Sequence, residues 1–239
     1  MIGSFGCGEA VKNSGEDEAL IHLPGETSSM VTKAKQGALL PVAAGGSWQN
    51  RVTLRRMGSD GGQDPVLDNV GRPIPASLEK ATLVARRPLA GGGSSVLIHI
   101  QQEKQAKPYR TETFRVDAKG IYLSAIGGAQ SLTATPALPL VRYPVREGST
   151  AKWTGTVQIG KSILPAQSHS RVAYAEEVSF AQRKVIAYRV DTMLVASING
   201  RQAAFPMSRW FAPGVGMVRQ RFLSGNIAMT KELVAYRIR

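Results

Sequence analysis

The amino-acid sequence predicts an all-β fold: two duplicated antiparallel β-meanders in one compact unit, arranged as a curved sheet or, alternatively, a β-sandwich. Three observations predict it. From residue 37 onward, apolar and polar residues alternate in short runs, the period of a strand with one buried face. Gly, Pro and Asn corners divide those runs at hairpin spacing. A motif beginning at Pro41 returns at Pro144, as expected of a copied meander.

Residues 1–36 show no such periodicity and read as a flexible acidic leader or tether. The chain's single cysteine, Cys7, lies there, so an intrachain disulfide is excluded. The start, MIGSFGCGEAVK, resembles the cleavage site of bacterial lipoproteins, in which a glycine precedes the cysteine that becomes the lipidated first residue. Cys7 is therefore a candidate lipid attachment site. Ser4 and Phe5 depart from the usual pattern and the apolar segment before Cys7 is short, so an incidental cysteine in a leader is the alternative.

The first repeat is expected over residues 37–134 and the second over 135–239. PVAAGGSW and PVREGSTAKW each carry Pro-Val, two residues, a Gly, a short spacer and a Trp, namely Trp48 and Trp153. Strand-like segments, QNRVTLRR and TGTVQI, follow them. Later in each half, TFRVDAKGIYLSAIGG and RWFAPGVGMVRQRFLSG both place an aromatic strand, a glycine corner and another strand in order. Two such meanders can each cover the apolar face the other leaves bare.

Within the first repeat, GSDGGQD and LAGGGSSV read as hairpin tips. PASLEKATLVARR opens with the composition of a helical turn before β-branched residues take over. SSVLIHIQQE puts Val96, Ile98 and Ile100 on one face, and RTETFRV puts Glu112 beside Phe114 and Val116. In the second repeat, RVAYAEEVSF places Glu176 on the face of Val172, Tyr174, Val178 and Phe180. KVIAYRVDTMLVAS sets Tyr188 and Val190 opposite Arg189 and Asp191, and Asn199-Gly200 then supplies a hairpin corner. In RWFAPGVGMVRQ, Gly214 and Gly216 precede an alternating strand rather than a helix, so a phosphate loop is excluded. Pro213 suits the second position of a turn and Gly214 the third, where φ is positive. Trp210 and Phe211 then point to opposite faces, one into the core and the other to the rim or a cavity.

SRWFAPGVGMVRQ, leading to the terminal ELVAYRIR, resembles the closing segment of TapB-like bacterial envelope proteins. LPLVRYPVREGSTAKW is similar to their recurrent Pro-aliphatic, Gly, Trp element. AEEVSFAQRKVIAYRV is similar to their middle strands, with AQRK replacing the usual small-Gly-Thr corner. The match covers roughly residues 135–239. More distantly, such proteins resemble the LolA/LolB-like lipoprotein carriers, which implies a half-barrel: an antiparallel sheet curved around an apolar hollow.

Formal net charge is +13, yet residues 1–30 carry five acids and one base, so the remainder carries +17. Such a body is drawn to polyanions, an anionic membrane surface among them. The basic residues stand singly or in pairs, and the aromatics lack the interleaving of RNA-binding surfaces, so nucleic acid is not an expected partner. No apolar run reaches the roughly 18 residues of a spanning helix. His22, His99 and His169 have no ligand spacing, so no metal or other cofactor is expected.

Glu112 and Glu176 are candidate buried carboxylates. Arginine partners or a raised pKa would have to compensate them, and a general acid–base pair is the sharper alternative. Together these features predict a non-catalytic bacterial cell-envelope protein, facing the periplasm or exterior. It would bind an apolar or lipid ligand, or an envelope protein partner, with Trp48, Trp153, Trp210 and Phe211 as candidate lining. The alternative is a structural accessory subunit of a larger envelope assembly without a ligand.

Overall fold

Thirteen strands follow one another in the computed structural model: β1 (Ser47–Met57), β2 (Gln63–Pro65), β3 (Ser77–Pro88), β4 (Ser94–Gln102), β5 (Arg110–Asp117), β6 (Gly120–Gly128), β7 (Leu132–Arg142), β8 (Thr150–Ile159), β9 (Ser162–Phe180), β10 (Arg183–Ile198), β11 (Arg201–Ala212), β12 (Gly216–Ser224) and β13 (Ile227–Arg237). The structure describes residues 39–41, 45–59, 61–129, 131–180, 183–198 and 200–238. The leader, with Cys7 and His22, lies outside the described residues. The segment at residues 77–88 is strand throughout, so β-branched and aliphatic alternation overrides the helical start.

Each strand pairs antiparallel with its neighbour in sequence, except that short β2 pairs only with the end of β1, and β1 goes on to pair with β3. β13 then pairs with β1, in a ladder running from Ser47 opposite Arg237 to Arg56 opposite Ile227. With β2 set aside, twelve strands close into a barrel. The half-barrel and the sandwich are thereby corrected. Side-chain alternation is the same in an open and a closed sheet, so it does not reveal closure. What decides closure is backbone pairing: an open sheet would leave β1 and β13 with unpaired N–H and C=O groups, and closing the ring removes both edges.

A twelve-stranded ring is wider than the eight-stranded barrel that side chains just fill, so large residues must occupy the middle. Leu83, Val96, Ile98, Ile100, Phe114, Ile121, Leu123, Leu138, Leu140 and Phe211 belong to one buried cluster. Val96, Ile98 and Ile100 are buried on one face of β4, as the alternation predicts. The corner between β11 and β12 is the expected turn: the Val215 amide donates to the Ala212 carbonyl at 3.1 Å, and Gly214 has φ +75°.

The ring is weakest between β7 and β8. Only residues 132–135 of β7 pair with β8, opposite residues 156–159. Beyond them, Pro136 and Pro139 offer no N–H, so that stretch of β7 is a poor ladder partner. The Trp153 indole donates instead to the Pro136 carbonyl at 3.1 Å. A cavity of about 240 Å³ opens at this seam, lined by residues 139–144, 149–151, 170–172 and Val190.

β9 also departs from the simple pattern. Val172 pairs with Val190 but Ala175 pairs with Tyr188, so Ala173 and Tyr174 form a bulge opposite Arg189. The bulge inverts the faces that follow. Glu176 lies opposite Ala187 and on the other face from Val172, correcting the expectation that the two share one.

Candidate ligand cavity

Residues from strands on facing sides of the ring meet around one internal cavity of about 110 Å³. Facing strands can share a cavity only inside the barrel, which identifies its lining as the lumen face. β4 contributes Ile98 and Ile100, β5 Phe114, β6 Ile121, Leu123 and Ile126, β7 Leu140, β11 Phe211 and β12 Met217. Polar groups from Asn50, Glu79, Glu112, Arg209, Gln220 and Lys231 enter the same space. An apolar wall with a few convergent polar groups is the usual make-up of a small-molecule site.

Phe211 and Trp48 line this cavity. The Trp48 indole donates to the Val215 carbonyl at 2.6 Å, fastening β1 to the β11–β12 corner. Gly216, at φ +108°, lies beneath that ring, and a Cβ there would come within 3.3 Å of Trp48 Nε1. Trp153 stands at the β7–β8 seam and is not part of the cavity wall.

Trp210 occupies the opposite face from Phe211, as the strand period requires, and is fully buried. Its indole donates to Glu176. The Arg189 and Arg219 guanidinium carbons lie 5.3 and 5.4 Å from its ring centre. Arg189, 0% exposed, donates to Asp191 at 2.8 Å and to the Tyr174 hydroxyl at 2.9 Å. Arg189 and Asp191 thus lie opposite Tyr188 and Val190 as expected, but this second face is buried as well.

The two candidate carboxylates do not meet. Glu112 enters the lumen and pairs with Arg110 at 3.1 Å, whereas Glu176 serves Trp210 on the other face. Glu112 is only partly buried and has an arginine partner.

Three charged lumen groups were not singled out in the sequence. Glu79 accepts from Lys231 Nζ at 2.7 Å and from the Tyr109 hydroxyl. Burial alone would raise the Glu79 carboxyl, but the Lys231 charge and the hydrogen bonds from Lys231 and Tyr109 outweigh it, holding the group below its usual 4.5. Burial, then the bond to Glu79, push the Tyr109 phenol well above its ordinary value. Arg209 is 6% exposed. Its Nη2 contacts the Met207 sulfur at 3.0 Å, and Nη1 is buried with no hydrogen-bond partner. Burial brings its pKa down to about 10, with the Glu112 charge opposing the drop. The signal for these groups was faint but present: Arg209 is two residues from Phe211, Lys231 two from Leu233, and Glu79 two from Ala81, each on its neighbour's face.

Among the described residues, no group of three or more His, Cys, Asp or Glu side chains is placed to hold a metal ion. No helix among the described residues is long and apolar enough to cross a membrane, which says nothing about strands.

No protein-family model matches the chain. No curated protein is detectably similar to it. Two solved structures are similar in fold. One is a presumed exported protein with a YmcC-like fold from Bacteroides fragilis, at 10% identity and TM-score 0.52, covering 83% of this chain and 98% of that one. The other is a presumed lipoprotein from Parabacteroides distasonis, at 9% identity and TM-score 0.49, with the same coverage. At such identity the first likeness speaks for the fold alone. The expected resemblance to TapB-like proteins and to lipoprotein carriers is not shown by these comparisons.

Proposed function

We propose that this protein is a non-catalytic bacterial envelope protein that holds a small apolar ligand, or the end of a longer one, inside its barrel. The observation that carries the reading is the lumen cavity, partly open to solvent and walled by Ile98, Ile100, Phe114, Leu123 and Phe211. A tightly packed interior leaves few voids larger than a water molecule, so a cavity of about 110 Å³ is unusual space for an interior of no use. The seam between β7 and β8 provides a route, because Leu140 borders both it and the lumen cavity. Placement in the envelope is supported by the fold shared with a presumed exported protein and by the basic body, which suits an anionic surface.

Native mass spectrometry of protein purified without detergent tests this. The wild type is expected to carry a small apolar adduct that Ala81→Phe lacks, because the added ring fills the cavity beside Ile98 and Ile100. No adduct in either protein, or equal adducts in both, counts against lumen binding and favours the structural-subunit reading.

A further inference from the structure

The lumen's charges do not balance locally. Glu79 and Lys231 satisfy one another at 2.7 Å. Glu112 is engaged by Arg110 at 3.1 Å, and Arg110 also lies 4.0 Å from Glu79. Arg209 is left without a salt bridge among the described residues, although it is 94% buried and borders the cavity. Glu112 is the acid whose charge acts on it, and that carboxylate is already engaged by Arg110. An uncompensated guanidinium in a low-dielectric interior is costly, and a buried N–H without an acceptor adds to the cost. Arg209 borders a space walled by Ile98, Ile100, Phe114 and Phe211 that Asn50, Glu112 and Gln220 also enter, and its Nη1 hydrogen-bonds to none of them.

We infer that the cavity receives a singly charged carboxylate amphiphile, its head group on Arg209 and its short hydrocarbon tail against Ile98, Ile100, Phe114 and Phe211. This rests on the lumen being a ligand cavity and adds the chemical class of the ligand. A guanidinium suits a planar carboxylate, which its N–H groups meet in plane. The charge count favours one negative charge, since Glu112 would repel a second. The cavity is smaller than the roughly 150 Å³ hole that accommodates benzene, so it takes the head group and first carbons of a short chain, whose end runs past Leu140 toward the β7–β8 seam.

Isothermal titration calorimetry at pH 7 with sodium hexanoate and hexan-1-ol tests the inference on the wild type, Arg209→Met and Arg209→Lys. Hexanoate is expected to bind the wild type at least tenfold more tightly than hexan-1-ol. Arg209→Met should abolish that preference while still binding hexan-1-ol, and Arg209→Lys should retain part of it. Should Arg209→Met fail to fold, the wild-type comparison and Arg209→Lys decide the matter. Hexan-1-ol binding the wild type as tightly as hexanoate would overturn the carboxylate assignment and leave the apolar cavity standing. Binding of neither would overturn both.

Discussion

Among individual residues, the most consequential are charges placed where the alternation implies grease. The Glu79–Lys231 pair is buried on both sides, and such pairs matter chiefly when broken. Lys231→Met alone is expected to destabilise the fold by about 3 kcal/mol, because it strands the Glu79 carboxylate; Glu79→Leu with Lys231→Met should recover most of that loss in urea unfolding. The pair also sets an acid limit. Glu79 titrates below its usual 4.5 in the folded protein, so its contribution is complete above that pH and is lost as pH falls through the folded value. Melting temperatures followed from pH 6 to pH 3 should fall less steeply in the double variant than in the wild type. A slope that matches the wild type would assign the acid sensitivity elsewhere. These pairings were hidden in the sequence because each partner is remote: residues 79 and 231 meet only when β13 closes onto β1. Glu112 was legible, since Phe114 and Val116 flank it on one face. That Trp210 and Phe211 take opposite faces was legible, but not that Phe211 lines the cavity while Trp210, expected as lining, is buried on the other face with Glu176 as its partner.

At the level of elements, the strands themselves were plain in the sequence, while their interruptions were not. Alternation located Val96, Ile98 and Ile100, and Pro213-Gly214 located the corner, because each is a local property of a few residues. The β9 bulge left no comparable mark. One extra residue is a matter of register between neighbours, and it turned Glu176 away from the lumen. The β7–β8 seam had a clue in Pro136 and Pro139, whose missing donors shorten the ladder. Amide hydrogen exchange should therefore show faster exchange at seam-facing amides in residues 150–155 than in residues 156–159, which are paired on both sides. Uniform protection along β8 would mean that the seam is closed. Gly216 offers a separate test at the β11–β12 corner. Its φ of +108° and its closeness to Trp48 predict that Gly216→Val costs about 2 kcal/mol or more and shifts tryptophan emission, as read in fluorescence-monitored denaturation.

For the whole molecule, the decisive feature is the closing ladder from β13 to β1, and no single segment announces it. Both termini of the sheet carry the same alternating pattern whether they meet or stand apart. Thr53 faces Thr230 across that ladder, so cysteines at both positions, in a Cys7→Ser background, are expected to oxidise within one chain. Closure turns a curved apolar face into a lumen, and the cavity within it gives the protein its proposed use. The most direct measurement is a methyl NMR titration with hexan-1-ol on protein labelled at isoleucine δ1 carbons. Ile98, Ile100, Ile121 and Ile126 border the cavity, whereas Ile74, Ile159 and Ile163 face outward as built-in controls. Saturable shifts confined to the first group are the predicted result; shifts at the exposed methyls alone, or none at all, would contradict ligand binding in the lumen.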